Sequence, residues 1–535
     1  MRPTRLLFAL LAACSSTSID EPTTVVPTTP SISEATLEAG PLPSSSIEGE
    51  ALRAGAIDMR VVRKIADHAR WKIACTFDLD RMVHLCATDS LDEKWTPGKV
   101  GTRVLVIAKD FTVTEHLISD QVFSSYLWGD FDSDGRPDLL AFRDAEERWK
   151  PEEQPPAVLF LGTEDSAKYR AGDPVPFDHV AKAGVVLDVD LDGCADALVL
   201  GSGVEKDVEK GDVTYFADAL LRGDCNGHFT RTEIASFDKA SPRLGRTAVI
   251  TDLDGDRCPD ILIGNYRGFA NDALLSDCNG GFRRDGEHPA TGAKKPNGWY
   301  GHTVAIAPYD LEGRGALDLA IANLWHPDDR GAYTDPAHVL VHDADGAWTR
   351  EEMPYFLEAP FGFWVGDLDQ DGTSDWLFAT GERWGAYEGQ AALVRRGSKK
   401  AAWRDTKGWL TMREAPSAID ANLDGFSEWI ADGRIFANHS VNAAGRGHFL
   451  GFALKSHDVV LSGIIARVSF TDGSAHAVAL AADGRGMPST IFTLPLGNEA
   501  KKPSKLEVAL TNGHVIERSI AELAIDRYHV ITLAR

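Results

Sequence analysis

Nowhere does the chain approach the eighteen or so consecutive apolar residues that a membrane-spanning helix needs. Basic residues are in the minority. The 55 Lys and Arg stand against 80 Asp and Glu, a formal net charge of −25, so no cationic field is available to hold a nucleic acid. The nucleophile-elbow pattern G-x-S-x-G and the metalloprotease pattern H-E-x-x-H are both missing. Outside a set of repeated acidic loops no catalytic constellation stands out, so the chain does not read as an enzyme. Cysteine is sparse, with seven in 535 residues. What remains is an acidic, globular chain, 43% hydrophobic and long enough for more than one core.

What the chain does have is one loop, used again and again. In Trp128-Gly129-Asp130-Phe131-Asp132-Ser133-Asp134-Gly135-Arg136-Pro137-Asp138 three aspartates alternate, a glycine follows, and a fourth acid closes the run at position nine. Alternate carboxylates in a tight loop can all turn onto one hard cation, and the glycine allows the positive-φ corner this requires. With a strand following the ninth position, the spacing predicts a calcium loop between two strands. The pattern recurs as Asp188, Asp190, Asp192, Asp196; as Asp252, Asp254, Asp256, Asp260; as Asp367, Asp369, Asp371, Asp375; and as Asp420, Asn422, Asp424, Glu428. A worn copy, Asp310, Glu312, Gly315, Asp318, has Arg314 in place of the third acid. Arg257 replaces the glycine of the Asp252 loop, at a cost of about 1 kcal/mol in backbone strain. Counted from Asp130, the copies start 58, 64, 58, 57 and 53 residues apart, a period that means a propeller, solenoid or array. Five bound calcium ions would cancel ten of the negative charges.

Between the loops the reading is strand after strand. Val185–Leu187 and 197–200 flank one acid loop, and Ala219-Leu220-Leu221 then leads through Asp224-Cys225-Asn226-Gly227 to Phe229. Apolar runs punctuated by Asx-Gly turns are hairpin signals. Four strands per fifty-odd residues make a propeller blade. A first copy without the acid loop still offers four strands (72–77, 82–88, 103–108, 111–117), for seven blades in all. The last blade lacks an outer strand, which 58–64 can supply.

The N-terminus carries Arg2 and Arg5, an apolar run 6–11, then Leu11-Ala12-Ala13-Cys14. It resembles a bacterial lipobox, which implies a lipidated Cys14. An ordinary secretory signal is the alternative, and either one takes the chain out of the cytoplasm. The Ser/Thr/Pro/Glu-rich stretch that follows reads as a flexible tether.

The repeats of 72–438 resemble FG-GAP/VCBS repeats of the bacterial kind, which implies a seven-bladed β-propeller with calcium sites at its rim. The series Gly447-His448-Phe449-Leu450-Gly451, Gly463-Ile464-Ile465-Ala466-Arg467-Val468, Leu494-Pro495-Leu496-Gly497 and Asn512-Gly513-His514 is similar to the ASPIC/UnbV module of proteins resembling cartilage acidic protein. The resulting division is a signal peptide at 1–13, a tether at 14–57, an all-β seven-bladed propeller at 58–440 and a small β module at 446–535. The expected role is a monomeric, calcium-binding surface for a protein or glycan ligand, lipid-anchored in the bacterial envelope. The alternative is a hydrolase or lyase acting on polysaccharide or phosphoester at the central funnel.

Other features weigh less. His338 and His342 share one face of a strand and read as exposed polar residues rather than a transition-metal pair. Arg222-Gly223-Asp224 spells an adhesion tripeptide but falls in a shared hairpin turn. Trp128, Phe363, Trp364 and Trp376 read as packing between blades. Apart from Cys14, six cysteines remain, an even number in an exported chain. Cys75 and Cys86 flank one hairpin turn. Cys194 and Cys258 hold position seven of two acid loops, and Cys225 and Cys278 lie in the third turns of the same blades. First and third turns share an edge, so the expected bridges are Cys75–Cys86, Cys194–Cys225 and Cys258–Cys278.

Overall fold

A computed structural model describes residues 32–43, 51–65, 73–90, 100–123, 125–143, 157–165, 168–201, 203–207, 212–232, 244–266, 268–296, 300–324, 335–343, 346–353, 360–380, 391–398, 400–404, 416–441, 445–456, 460–480, 490–498 and 501–533. The signal peptide and Cys14 lie outside these residues. Among the described residues no helix is long and apolar enough to cross a membrane.

Alternating apolar runs and Asx-Gly turns fold as the sequence implies, into short antiparallel sheets. Six of them are four-stranded and begin with Ile73–Asp78, Ser125–Gly129, Ala181–Leu187, Gly245–Thr251, Thr303–Tyr309 and Pro360–Gly366. A further sheet begins with Ser417–Ile419. These first strands follow one another in a ring: each packs on the next from Ile73–Asp78 to Pro360–Gly366, and Ser417–Ile419 packs back on Ile73–Asp78. This is a β-propeller. Apolar clusters fill the seams between sheets, as where Trp128 and Leu139 meet Leu85 and Val104. Trp128 is fully buried and donates from Nε1 to the Ala74 carbonyl at 2.8 Å. Phe363 and Trp376 belong to one such cluster and Trp364 to another.

Ring closure uses the N-terminal segment. Ile57–Lys64 pairs antiparallel with Arg434–Asn438, with Met59 opposite Asn438 and Lys64 opposite Arg434. Ala51–Ala54 adds a fifth strand outside it. The structure here corrects the reading of 14–57 as a plain tether. Ile32–Leu37 is also a strand, paired with Tyr528–Leu533 in the C-terminal module. Composition hid both segments, because a strand added to an existing sheet edge takes its hydrogen bonds and burial from the partner.

The module is a sandwich. One sheet runs Ile32–Leu37, Tyr528–Leu533, His448–Ser456, Ile491–Gly497; the other runs Ala475–Ala479, Ile465–Phe470, Pro503–Ala509, Val515–Ser519. Ile465–Phe470 alternates buried and half-buried residues, and its inward face joins Phe452, Leu454, Leu506, Val508 and Ile516 in one core.

The expected disulfides form. Their Cα–Cα separations are 4.0 Å for Cys75–Cys86, 4.8 Å for Cys194–Cys225 and 5.4 Å for Cys258–Cys278. Three bridges imply an oxidising, exported environment.

Candidate metal centres

Each acid loop joins the first strand of its sheet to the second, and its hydrogen bonds follow one scheme. The position-one carboxylate accepts from backbone N–H groups across the loop. Asp130 accepts from Asp134 and Gly135, both at 3.0 Å, and Asp367 and Asp420 repeat this at their own positions five and six. The position-five acid accepts from the N–H two residues on, as Asp192 does from Cys194 at 2.8 Å and Asp371 from Thr373 at 2.9 Å. Two corners per loop are left-handed, not one. Position four has φ 55° at Ser133, 64° at Leu191 and 62° at Leu423, and the position-six glycines follow. In the Asp252 loop the residues are exchanged: Gly255 holds position four, and Arg257 takes the strained position six at φ 72°.

The ninth residue has a structural job that spacing alone did not show. Asp138 accepts from Phe131 N at 2.8 Å and from Gly162 N on the third strand at 2.7 Å. Asp196, Asp260 and Asp318 make the same two bonds. Glu428 locks Ala421 and Asn438 in the same manner, and Asp375 holds Leu368. All six are fully buried. This acid therefore bolts the loop to the sheet.

Position three points inward. Its outer oxygen is held by an arginine of the same sheet: Arg170 on Asp132 at 3.2 Å, Arg222 on Asp190 at 2.9 Å and Arg395 on Asp369 at 2.7 Å. The inner oxygens Asp132 Oδ1, Asp190 Oδ1 and Asn422 Oδ1 are buried without a hydrogen-bond partner. A buried, unsatisfied oxygen is costly unless something occupies the space it faces. The arginines went unseen in the sequence because they lie outside the loops, on other strands.

Four groups bring one oxygen from each of three acids within 4.8 Å of one another: Asp130, Asp132, Asp138; Asp188, Asp190, Asp196; Asp252, Asp254, Asp260; and Asp367, Asp369, Asp371. That limit is about twice a calcium–oxygen distance, and the donor set is all hard oxygen. Asp134, Asp192, Asp256 and Asp375 stand outside these threes; Asp134 is instead paired with Arg136. Asn422 supplies an amide oxygen to the Asp420 loop in place of a carboxylate. Burial pushes these carboxyls far up, to about 8 at Asp138, Asp260, Asp375 and Asp420, about 7 at Asp196 and Asp367, and about 6 at Asp130 and Asp252. Acids so placed want either a proton or a cation.

The worn copy differs. Glu312 is bound by Arg396 at 2.6 Å, and Arg314 lies 3.3 Å from Asp318 and 3.4 Å from Asp343. Its acids face permanent guanidinium charges.

The loops do not lie on an open rim, as the resemblance implied; the sandwich covers their face. Tyr528 donates from Oη to Asp420 Oδ2 at 2.5 Å. Arg446 reaches Asp424 at 3.0 Å, with its guanidinium 3.8 Å from the Phe426 ring centre. The module's recurrent glycines are approach points. A Cβ on Gly447 would meet the Gln370 carbonyl at 2.4 Å, and one on Gly513 would collide with Cys278.

The histidine pair is corrected. His338 and His342 are buried, at 0% and 7% exposed. They face different neighbours: His338 Nδ1 lies 2.9 Å from the Pro336 carbonyl, whereas His342 stacks on Trp348. No transition-metal site joins them. In the adhesion tripeptide, Arg222 is held by Asp190 and Asp224 accepts from Asn226 and His228, so it serves its own loop and turn.

No protein-family model matches the chain, and no curated protein is similar to it. Among solved structures it is similar to an Agrocybe aegerita lectin that recognises non-reducing terminal N-acetylglucosamine (13% identity, 61% of this chain and 81% of that one, TM-score 0.38). It is similar also to a putative gluconolactonase (11%, 63% and 90%, 0.32) and to the exotype rhamnogalacturonan lyase YesX (12%, 69% and 71%, 0.31). At such scores the likenesses decide nothing further, and the propeller assignment rests on the ring of sheets.

Proposed function

We propose that this chain is a seven-bladed, calcium-loaded propeller of the FG-GAP/VCBS kind with an ASPIC/UnbV-like module, exported and lipid-anchored through Cys14. Its role is to present a binding or scaffold surface. The observation that carries the calcium reading is the inward oxygen at position three. Asp132, Asp190 and Asn422 each aim a partnerless buried oxygen into the loop, and an arginine claims the outer oxygen of the two aspartates. The ligands are the twenty residues of the five intact loops, with the ninth acids acting mainly as bolts. Calcium titration by calorimetry tests this, with five sites expected; a chain that binds none overturns it.

With the module seated on the loop face, the opposite face is the one left for a protein or glycan ligand. There, at the starts of first strands, Arg246 lies 4.4 Å over the half-buried Tyr266 ring, and His302 meets Tyr266 edge-on at 5.0 Å. An aromatic plane with a cation and imidazole beside it suits an acidic or neutral sugar or a peptide side chain. Glycan-array and peptide binding should be lost in Tyr266→Ala; binding unaltered by that change would move the ligand elsewhere. The enzymatic reading has one feature in its favour, a cavity of about 300 Å³ in the channel beneath the module, lined in part by His84, Tyr309, Trp364, Ser417 and Tyr528. The expected result on a polysaccharide and phosphoester panel is no turnover, and turnover abolished by Tyr309→Phe would establish the enzyme instead.

A further inference from the structure

The five intact loops carry Pro137, Ala195, Pro259, Ser374 and Ser427 at position eight, whereas the worn copy carries Leu317. Leu317 is 3% exposed and packs with Ala477, Ala479 and Ile465 of the module, forming a small apolar cluster that belongs to both domains. Beside it, Arg314 forms a parallel bridge with Ala475. Asp310 Oδ2 accepts from the module's Ala477 N–H at 3.0 Å in a buried bond, and His476 Nδ1 stands 3.9 Å away. The two glycines of this loop are crowded from the module side. A Cβ on Gly313 would meet His476 at 2.8 Å, and one on Gly315 would meet Arg467 at 2.3 Å and Ala475 at 2.7 Å. Among the intact loops, the Gly135 and Gly372 positions open onto free space, whereas Gly425 is crowded in the same way, by Phe449 of the module at 2.2 Å.

We infer that the Asp310–Asp318 copy has exchanged its cation for the Arg314 guanidinium and serves as a cation-independent receptor on which the C-terminal module docks. The intact Asp420 loop also takes a module contact, from Tyr528, but through a carboxylate that a bound cation would claim as well, so that contact varies with the ion's supply. A guanidinium fixed in the chain keeps the loop folded whatever the calcium level. It also leaves Asp310 an oxygen for the module's backbone, and position eight becomes an apolar plug. The inference rests in part on the calcium reading of the other loops, and its test separates the two.

Two variants are needed. Leu317→Ser, which installs the residue found in two intact loops, should speed hydrogen exchange at the amides of 475–479 at least tenfold. Exchange in the module core at 491–497 and the calcium stoichiometry should stay unchanged. Arg314→Asp restores the third acid and should raise the calorimetric calcium count by one over wild type. Exchange at 475–479 left unaltered by Leu317→Ser overturns the receptor. Six calcium ions bound to wild type, or no gain in Arg314→Asp while wild type binds five, overturns the guanidinium substitution. No calcium bound to any of the three proteins defeats the cation reading but leaves the exchange experiment to decide the receptor.

Discussion

Cation removal should unfold the propeller by an amount that depends on pH, with a sign that follows from burial. In the cation-free folded chain the carboxyls of Asp138, Asp260, Asp375 and Asp420 are raised from 3.8 to about 8, and those of Asp196 and Asp367 to about 7. Between 3.8 and those values the folded form holds more protons than the unfolded one. Its stability therefore falls as the pH rises through that window and levels off above about 8. Calcium reverses the demand, since it needs the ionised acids that high pH provides. Each site at a hundredfold excess of ion over Kd contributes about 2.7 kcal/mol, or roughly 13 kcal/mol for five. For a unit the size of residues 58–440 that corresponds to roughly 15 °C in Tm. Differential scanning calorimetry in millimolar calcium or in chelator, at pH 5.5 and pH 8, reads this directly. The gap between the two conditions should be large at pH 8 and smaller at pH 5.5, with the chelated protein melting lower at pH 8 than at pH 5.5. Equal melting temperatures at pH 8, or a wider gap at pH 5.5, would refute the reasoning. Asp371→Asn should narrow the pH 8 gap, whereas Glu312→Gln, in the loop neutralised by Arg314 and Arg396, should not.

Three further outcomes follow from single contacts. Tyr528→Phe removes the donor to buried Asp420 and should cost about 1–3 kcal/mol in denaturant unfolding; a loss under about 0.3 kcal/mol would show that the bond is replaced by water. Arg257→Gly relieves a left-handed arginine at φ 72° and should stabilise by about 1 kcal/mol, since its contact with the buried Glu507 is long, at 3.7 Å, and Glu507 keeps the closer Lys505 and Arg467. Replacing Cys194 and Cys225 together by serine opens a bridge of separation 31 and should cost about 3.5 kcal/mol in the chain-entropy model, with non-reducing peptide maps of the parent showing the linked pair.

The sequence alone determined the strand-loop-strand repeat and the acids that recur with its period, though not the second left-handed corner at position four. The loop's bonds at positions one and five span no more than five residues, so Asp130, Asp134 and their counterparts could be read directly. The bridges Cys194–Cys225 and Cys258–Cys278 followed from the register of a four-stranded meander, because matching turns of one sheet share an edge. Counting strands in the last sheet allowed 58–64 as the closing strand, and Ile57–Lys64 takes that place. Tertiary structure decided what depends on partners distant in sequence. Arg170, Arg222 and Arg395 become loop partners only when the third and fourth strands fold back beside the first turn. The strand Ile32–Leu37 exists because Tyr528–Leu533, some five hundred residues away in the chain, offers it an edge. The histidines 338 and 342 alternate like surface residues, yet neighbouring elements bury them both. The worn loop looked like decay in one dimension: Arg314 where an acid should be, and Leu317 where the other copies are small. In three dimensions those two departures face the module, and a side chain's role there is set by what packs against it.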